Sequence, residues 1–334
     1  MKRLITLAIM ALAIISCKPT KIMLPNVSGK AGEVIVVIDR NNWEGNLGAG
    51  VRDILGSDCP YLAQKEPLFN VANVTPSGFA DLFKVHRNIL IFNINAQNQS
   101  EGVVYRSNVW ARPQCLIQVN AFDSEGALRL LNENSERICN SFEQAERDRI
   151  ISNAKTYEAY DLFKTVSEAF GGSPHFSTGY KLKKNTGDFI WIADERQYTI
   201  QGVLIYKYPA SENENFSQEN IIAHRNAILK ENVPGMFENT WMTTSTYIEP
   251  TVTFVKYRGR QFAQTRGFWE VQNDFMGGPF VSHSFYGPEA KDIIVIEAFV
   301  YAPRFDKRQY LRQVESLLYS FEWAQTAVAT AAAE

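Results

Sequence analysis

Two stretches of nearly the same pattern constrain the fold of this chain more than any other feature. Gly32-Glu33-Val34-Ile35-Val36-Val37-Ile38-Asp39 reads glycine, acid, five apolar residues, aspartate, and Gly187-Asp188-Phe189-Ile190-Trp191-Ile192-Ala193-Asp194 repeats it. Short apolar runs rich in β-branched and aromatic residues, bounded by turn formers, are buried strands. The echo continues. A strand, a loop and a long helix end in Ser141-Phe142-Glu143 in one half and in Ser320-Phe321-Glu322 in the other. His86-Arg87-Asn88 recurs as His224-Arg225-Asn226, although the first runs into a strand and the second stays in a helix. Duplication of an α+β unit fits this pattern, and so does convergence of similar packing units. Both lead to the same class: α+β, with two-layer antiparallel or mixed sheets and helices packed on one face.

The remaining periodicity fills in that frame. Strands are expected over 68–74, 89–94, 103–111 and 114–122 in the first half. In the second half they are expected over 180–183, 189–193, 199–208, 241–248, 252–257, 261–271, 280–286 and 293–301. Asn185-Thr186-Gly187 and Arg258-Gly259 supply hairpin turns. A long helix starts at Ser124 and carries Leu128, Leu131, Ile138, Cys139 and Phe142 at helical spacing. Helices follow over 154–170 and 217–231. The last is capped by Asp306, with Gln309 as capping-box partner and Tyr310, Val314, Leu317, Leu318 and Phe321 as its buried face. Gly45, Gly48 and Gly50 make 43–55 a poor or broken helix.

The first residues indicate where the chain folds. Lys2 and Arg3 precede an apolar run from Leu4 to Ile15, and Ile14-Ile15-Ser16-Cys17 resembles a bacterial lipobox. The run is short for a bilayer span but long enough for a secretory signal. Residues 1–16 are therefore expected to be a removed signal peptide, with Cys17 as a lipidated N-terminus. The expected divisions after it are a lipidated tether over 17–31, an N-terminal α+β half over 32–152, and a connecting helix and Gly-Gly-Ser-Pro breaker over 153–174. A C-terminal half over 175–323 and a tail over 324–334 complete the chain.

Composition narrows the function classes. A formal net charge of −2 and the lack of a long basic run leave no electrostatic footprint for nucleic acid. Cys59, Cys115 and Cys139 remain after Cys17, and an odd number is not a disulfide framework, though one bridge stays open. Walker, nucleophile-elbow and zincin motifs are missing. His86, His175, His224 and His283 are too dispersed for a metal cluster, so no metal or cofactor is expected.

The densest unusual stretch spans 266–286. Arg266, Trp269 and Glu270 end a strand, Met276, Gly277 and Gly278 turn the chain, and His283 leads back. Read as a recognition loop, Trp269 would stack on a ligand while Arg266, Glu270 and His283 supply polar contacts, with Gly277 and Gly278 at positive φ. Read as a packed hairpin, its aromatics would seal the sheet edge. Trp110 and Arg112 form a second candidate, weighed against strand-end packing.

The lipobox, His86-Arg87-Asn88-Ile89-Leu90, Gly187-Asp188-Phe189-Ile190-Trp191-Ile192, and Arg266-Gly267-x-Trp269 followed by Met276-Gly277-Gly278-Pro279-Phe280 resemble a family of Bacteroidota envelope lipoproteins classed as a domain of unknown function. The likeness covers nearly the whole mature chain. It implies the phylum and an envelope location, and it carries over no catalytic residue. The expected role is a membrane-anchored, non-enzymatic binding or assembly module on the outer membrane, with an envelope protein or glycan as partner. Lys18-Pro19-Thr20-Lys21, basic where surface-exported lipoproteins of that phylum are acidic, favours the periplasmic face. The alternative is a hydrolase acting on envelope glycan or peptide, with Glu270, Asp274 or His283 as acid/base, in a cleft holding two nearby carboxylates.

Overall fold

The computed structural model describes residues 23–213 and 215–324. The signal segment, the lipobox with Cys17, and the tail past Ala324 lie outside the described residues.

The first half is a five-stranded mixed sheet with helices. In chain order come β1 (Glu33–Val37), α1 (Arg40–Glu44), α2 (Asn46–Leu55), β2 (Asn70–Val74), α3 (Asp81–Lys84) and β3 (Asn88–Ile94). They are followed by β4 (Gly102–Ser107), β5 (Cys115–Ala121), α4 (Ser124–Glu133) and α5 (Ser135–Thr156). The sheet order is β2-β1-β3-β5-β4, parallel except for the edge strand β4. β1 is covered on both faces, as an unbroken apolar run requires. Val34 and Val36 meet α2, α4 and α5 through residues such as Val51, Leu131 and Phe142. Ile35 and Val37 face a smaller core with Phe79, Phe83 and Trp110. Residues 25–28, expected as part of the tether, are docked. Arg112 N–H donates to Pro25 O at 2.8 Å, and Ser28 N–H to Val85 O at 2.9 Å.

The second half is antiparallel. It comprises α6 (Tyr160–Phe170), β6 (Gly172–Ser173), β7 (Lys181–Asn185), β8 (Phe189–Arg196), β9 (Thr199–Pro209), α7 (Gln218–Asn232) and β10 (Met242–Thr244). Then come β11 (Thr251–Tyr257), β12 (Arg260–Val271), β13 (Gly277–Tyr286), β14 (Asp292–Tyr301), α8 (Arg308–Tyr319) and β15 (Glu322–Trp323). An eight-stranded sheet runs β10-β12-β13-β14-β9-β8-β7, with β11 also on β12, while β6 pairs with β15. One face carries α6, α8 and the end of α5, through Val166, Val314, Leu318 and Ile151. The other face carries α7, which packs Leu229 and Val233 toward Tyr206, Trp269 and Phe299. Arg225 of α7 is fastened there by a two-point fork onto Glu297 of β14, at 2.8 and 2.7 Å, with both side chains fully buried. Among the described residues no helix is long and apolar enough to cross a membrane.

The α+β class holds, with one mixed and one antiparallel sheet. The two echoing segments become β1, between parallel neighbours, and β8, between antiparallel ones. Their shared pattern specifies burial and not partner direction, so the echo does not extend to topology. Most helices crowd one face of each sheet, but the opposite faces are covered too, by Phe79, Phe83 and Trp110 in one half and by α7 in the other. The helix expected from Ser124 is two helices that break at Asn134, and Asp123 caps the first by accepting Gly126 N–H at 2.8 Å.

Candidate functional site

Two helices join the halves. α5 places Ile138 and Phe142 in the first core and Ile151 and Ala154 in the second. α8 crosses it and is buried almost all round, with Arg308, Arg312 and Glu315 buried alongside Leu311, Val314 and Leu318. The expected cap at Asp306 is not used. The helix begins at Arg308, and its first amides go to Glu66 of the other half, Lys307 N–H to Oε1 at 2.6 Å and Arg308 N–H to Oε2 at 2.8 Å. A carboxylate there satisfies donors that the helix itself cannot.

A cleft opens on each side of α8. One, of about 470 Å³, is lined by Arg87, Glu146 and Arg149 on the first half and by Tyr180, Asp194 and Gln201 on the second. Its charges balance: two arginines face two carboxylates. Glu146 is occupied structurally, accepting Asn88 Nδ2 at 2.8 Å and Gly32 N–H at 3.2 Å and pairing with Arg149 at 3.1 Å.

The other cleft, of about 400 Å³, is unbalanced. Arg147, Arg266, Arg308 and Arg312 line it against only Glu143 and Glu315, with Cys59, Cys139, Gln264 and Tyr319. Arg312 forks onto Glu143, with Nε to Oε2 at 3.1 Å and Nη2 bonded to Oε1, and donates to Leu68 O at 2.9 Å. Arg266 forks onto Glu315, with Nη1 to Oε2 at 3.3 Å and Nη2 bonded to Oε1. Burial opposes charge on both guanidiniums, and the partner carboxylates outweigh it, holding the pKa values above the usual arginine range. Arg147 lies 3.8 Å over the Tyr319 ring. Burial pushes the Cys59 and Cys139 thiols up to about 11, so both stay neutral at physiological pH.

Behind this cleft lies a polar chain. Arg266 Nε donates to Gln264 Oε1 at 3.1 Å. Gln264 Nε2 donates to Tyr319 OH at 2.7 Å and meets His283 Nε2 at 3.2 Å. His283 is fully buried and stacked on Phe262 at 3.9 Å. Burial first, then the positive charges of Arg260, Arg266 and Arg147, push its pKa well below 6.5 and keep it neutral.

The sequence-derived candidates therefore separate. Arg266 lines the unbalanced cleft, with His283 behind it. Trp269 does not join them. Successive strand residues alternate faces, so on β12 it points away from Arg266. It sits 1% exposed in the α7-side core, donating Nε1–H to Val300 O at 3.2 Å. Almost none of the indole surface is open to solvent, and with Met276 it borders a pocket of about 190 Å³ on the α7 side. Gly277 and Gly278 are not at positive φ; the turn residue with positive φ is Asn273, at 64°. Gly278 is small for a different reason: a Cβ there would lie 2.0 Å from Val300 O, the carbonyl that the indole uses. Met276 packs against the same core. Glu270 pairs opposite Gly277 and His283 opposite Gln264, so they lie roughly 20 Å apart along the sheet. His283, sealed in the core, is therefore not brought together with Glu270 as an acid/base pair, while Asp274 lies in the turn next to the Glu270 end of β12. Trp110 packs edge-on to Phe79 at 5.6 Å, in the first sheet's smaller core. The Arg112 backbone holds residues 25–27. Among the described residues no group of three His, Cys, Asp or Glu side chains is placed to hold a metal.

Sequence reasoning missed Arg147, Arg308 and Arg312. The available signal was the i, i+4, i+7 stripe Arg308, Arg312, Glu315, which reads as a solvated helix face until a second domain covers it.

Two family models match the chain. One, Domain of unknown function (DUF8532), matches residues 27–155, and the other, Domain of unknown function (DUF4837), matches residues 160–320. These agree with the sequence resemblance as far as domains of unknown function, and carry no statement about phylum or lipid anchor. No curated protein matches. The unbalanced cleft draws Cys59, Cys139, Glu143 and Arg147 from the first matched region and Arg266, Arg308, Arg312 and Glu315 from the second.

Proposed function

We propose that this chain is a lipid-anchored protein of the cell envelope, attached to the outer membrane on its periplasmic side, and that it acts as a non-enzymatic binding or assembly module. Its binding site is the arginine-rich cleft between the two halves, and its partner is an envelope protein or glycan carrying negative charge. One observation carries the site: four guanidiniums against two carboxylates in a single 400 Å³ cleft. The basic start, the apolar run and Ile14-Ile15-Ser16-Cys17 support the anchor. Two acyl chains on Cys17 would hold the protein far more firmly than one, at about 0.8 kcal/mol per buried CH₂.

Two measurements test the reading. Wild type should fractionate with membranes and show acyl mass on its N-terminal peptide, while Cys17→Ser should not be acylated; a soluble, unacylated wild type removes the anchor. Immobilised mature protein should retain an envelope component that an Arg147→Gln/Arg308→Gln variant, folded by its melting curve, does not. Equal retention by both proteins would move binding away from the cleft.

A further inference from the structure

We infer that the cleft takes a dianionic phosphate group, gripped by Arg147 and Arg308; this deepens, and rests on, the reading of the cleft as the binding site.

The four arginines are not equivalent. Arg266 and Arg312 are committed to Glu315 and Glu143. Among the described residues, Arg147 and Arg308 have no carboxylate side-chain partner within ion-pair distance of their guanidiniums. Arg147 donates Nη1–H to Gln144 Oε1 at 3.0 Å, and its guanidinium carbon lies over the Tyr319 ring, 3.8 Å from the centroid. Arg308 is 7% exposed; its Nη1 donates to Pro67 O, and its Nε is buried with no hydrogen-bond partner. A buried guanidinium N–H without an acceptor is costly unless something supplies one. The start of α8 is not the anion site, because Glu66 already takes the amides of Lys307 and Arg308.

Charge and shape point to phosphate. The lining carries two positive charges more than its carboxylates cancel. A phosphate monoester supplies about two negative charges and three acceptor oxygens near neutral pH, whereas one carboxylate would leave a charge over. Guanidinium forks match phosphate oxygens geometrically, and Arg147 is held in place in advance by Gln144 and the Tyr319 ring. The neutral state of His283, enforced after burial by Arg260, Arg266 and Arg147, reports the same positive potential from behind the cleft. The volume of about 400 Å³ has room for a phosphate and a small polar body attached to it.

The test is calorimetry and melting of the mature chain at fixed ionic strength. The probes are inorganic phosphate, a hexose monophosphate, and vesicles containing phosphatidic acid. At least one should bind saturably and raise the melting midpoint, while sodium chloride does not. The tightest of the three tells whether the source is the free ion, a phosphorylated sugar or a lipid headgroup. Arg147→Gln and Arg308→Gln should each weaken that binding about tenfold or more, the loss of one charge-assisted contact. Arg147→Gln carries the test if Arg308→Gln does not fold. Lack of saturable binding by all three up to ~10 mM, or unchanged affinity in Arg147→Gln, overturns the inference. Retention of an envelope component without any phosphate affinity would overturn the phosphate class and leave the binding module standing. Loss of both would end both.

Discussion

Glu66 caps the helix that begins at Arg308. Its carboxylate accepts the Lys307 amide at 2.6 Å and the Arg308 amide at 2.8 Å from across the junction between halves. The residue is 4% exposed, so water cannot replace it readily. Glu66→Ala should cost about 2 kcal/mol, at the upper end for a lost cap, and Glu66→Gln less. Urea melts give the energy, and faster hydrogen exchange at the Lys307 and Arg308 amides would place it at the helix end. Unchanged exchange there would refute the cap.

Trp269 and Gly278 form a second pair. Trp269→Ala empties a large core site and should cost about 3–5 kcal/mol. Gly278→Ala drives a methyl toward Val300 O, 2.0 Å from the ideal Cβ position, and should cost about 1–3 kcal/mol as overpacking. Calorimetric melts of both variants check this. A Trp269→Ala protein as stable as wild type would mean that the indole is not in the core.

How much of this was readable beforehand differs residue by residue. The helix start at 217 was legible, and there the Ser217 side chain accepts the Asn220 amide at 3.2 Å. The turn at Arg258-Gly259 was legible through its glycine, and both residues do sit at positive φ. The split between Arg266 and Trp269 was also legible in principle: three residues apart on an expected strand, they must face opposite ways. Gly278 looked like a turn residue because the sequence does not show which carbonyl will approach it. The Glu66 cap was beyond reach, because its partners follow 241 and 242 residues later. The same holds for the cleft. Its arginines look like surface charge until the second sheet places α8 against α5.

His283 sets a pH dependence. Its folded pKa lies well below 6.5, through burial first and then Arg260, Arg266 and Arg147, while in the unfolded chain it titrates near 6.5. The unfolded state therefore binds a proton that the folded state refuses. The contribution to stability is complete above pH 6.5 and falls as the pH drops below it, by at most about 1.4 kcal/mol per unit. Urea midpoints measured at about pH 7.5 and 5.5 should separate wild type from His283→Gln. The wild type loses more stability on acidification; parallel losses would show that His283 is not held neutral.

Cys59, Cys115 and Cys139 are all free thiols, each pushed up to about 11 by burial. Denatured, unreduced protein whose Cys17 is acylated as proposed should titrate three thiols, and the native protein should react slowly at pH 8 because little thiolate is present. A count of one would reveal a bridge.

The docking of residues 25–28 bears on mechanics. Four backbone hydrogen bonds tie this segment to Val85, Arg87 and Arg112 before the chain enters β1. The bridges at Asn26 and Ser28 are parallel. A pull arriving from the N-terminal side runs along the segment, so these bonds share it in shear and do not peel one after another. For a load applied ahead of Met23, the first of these ties is at Pro25, six residues earlier than Ala31, where composition places the end of the tether.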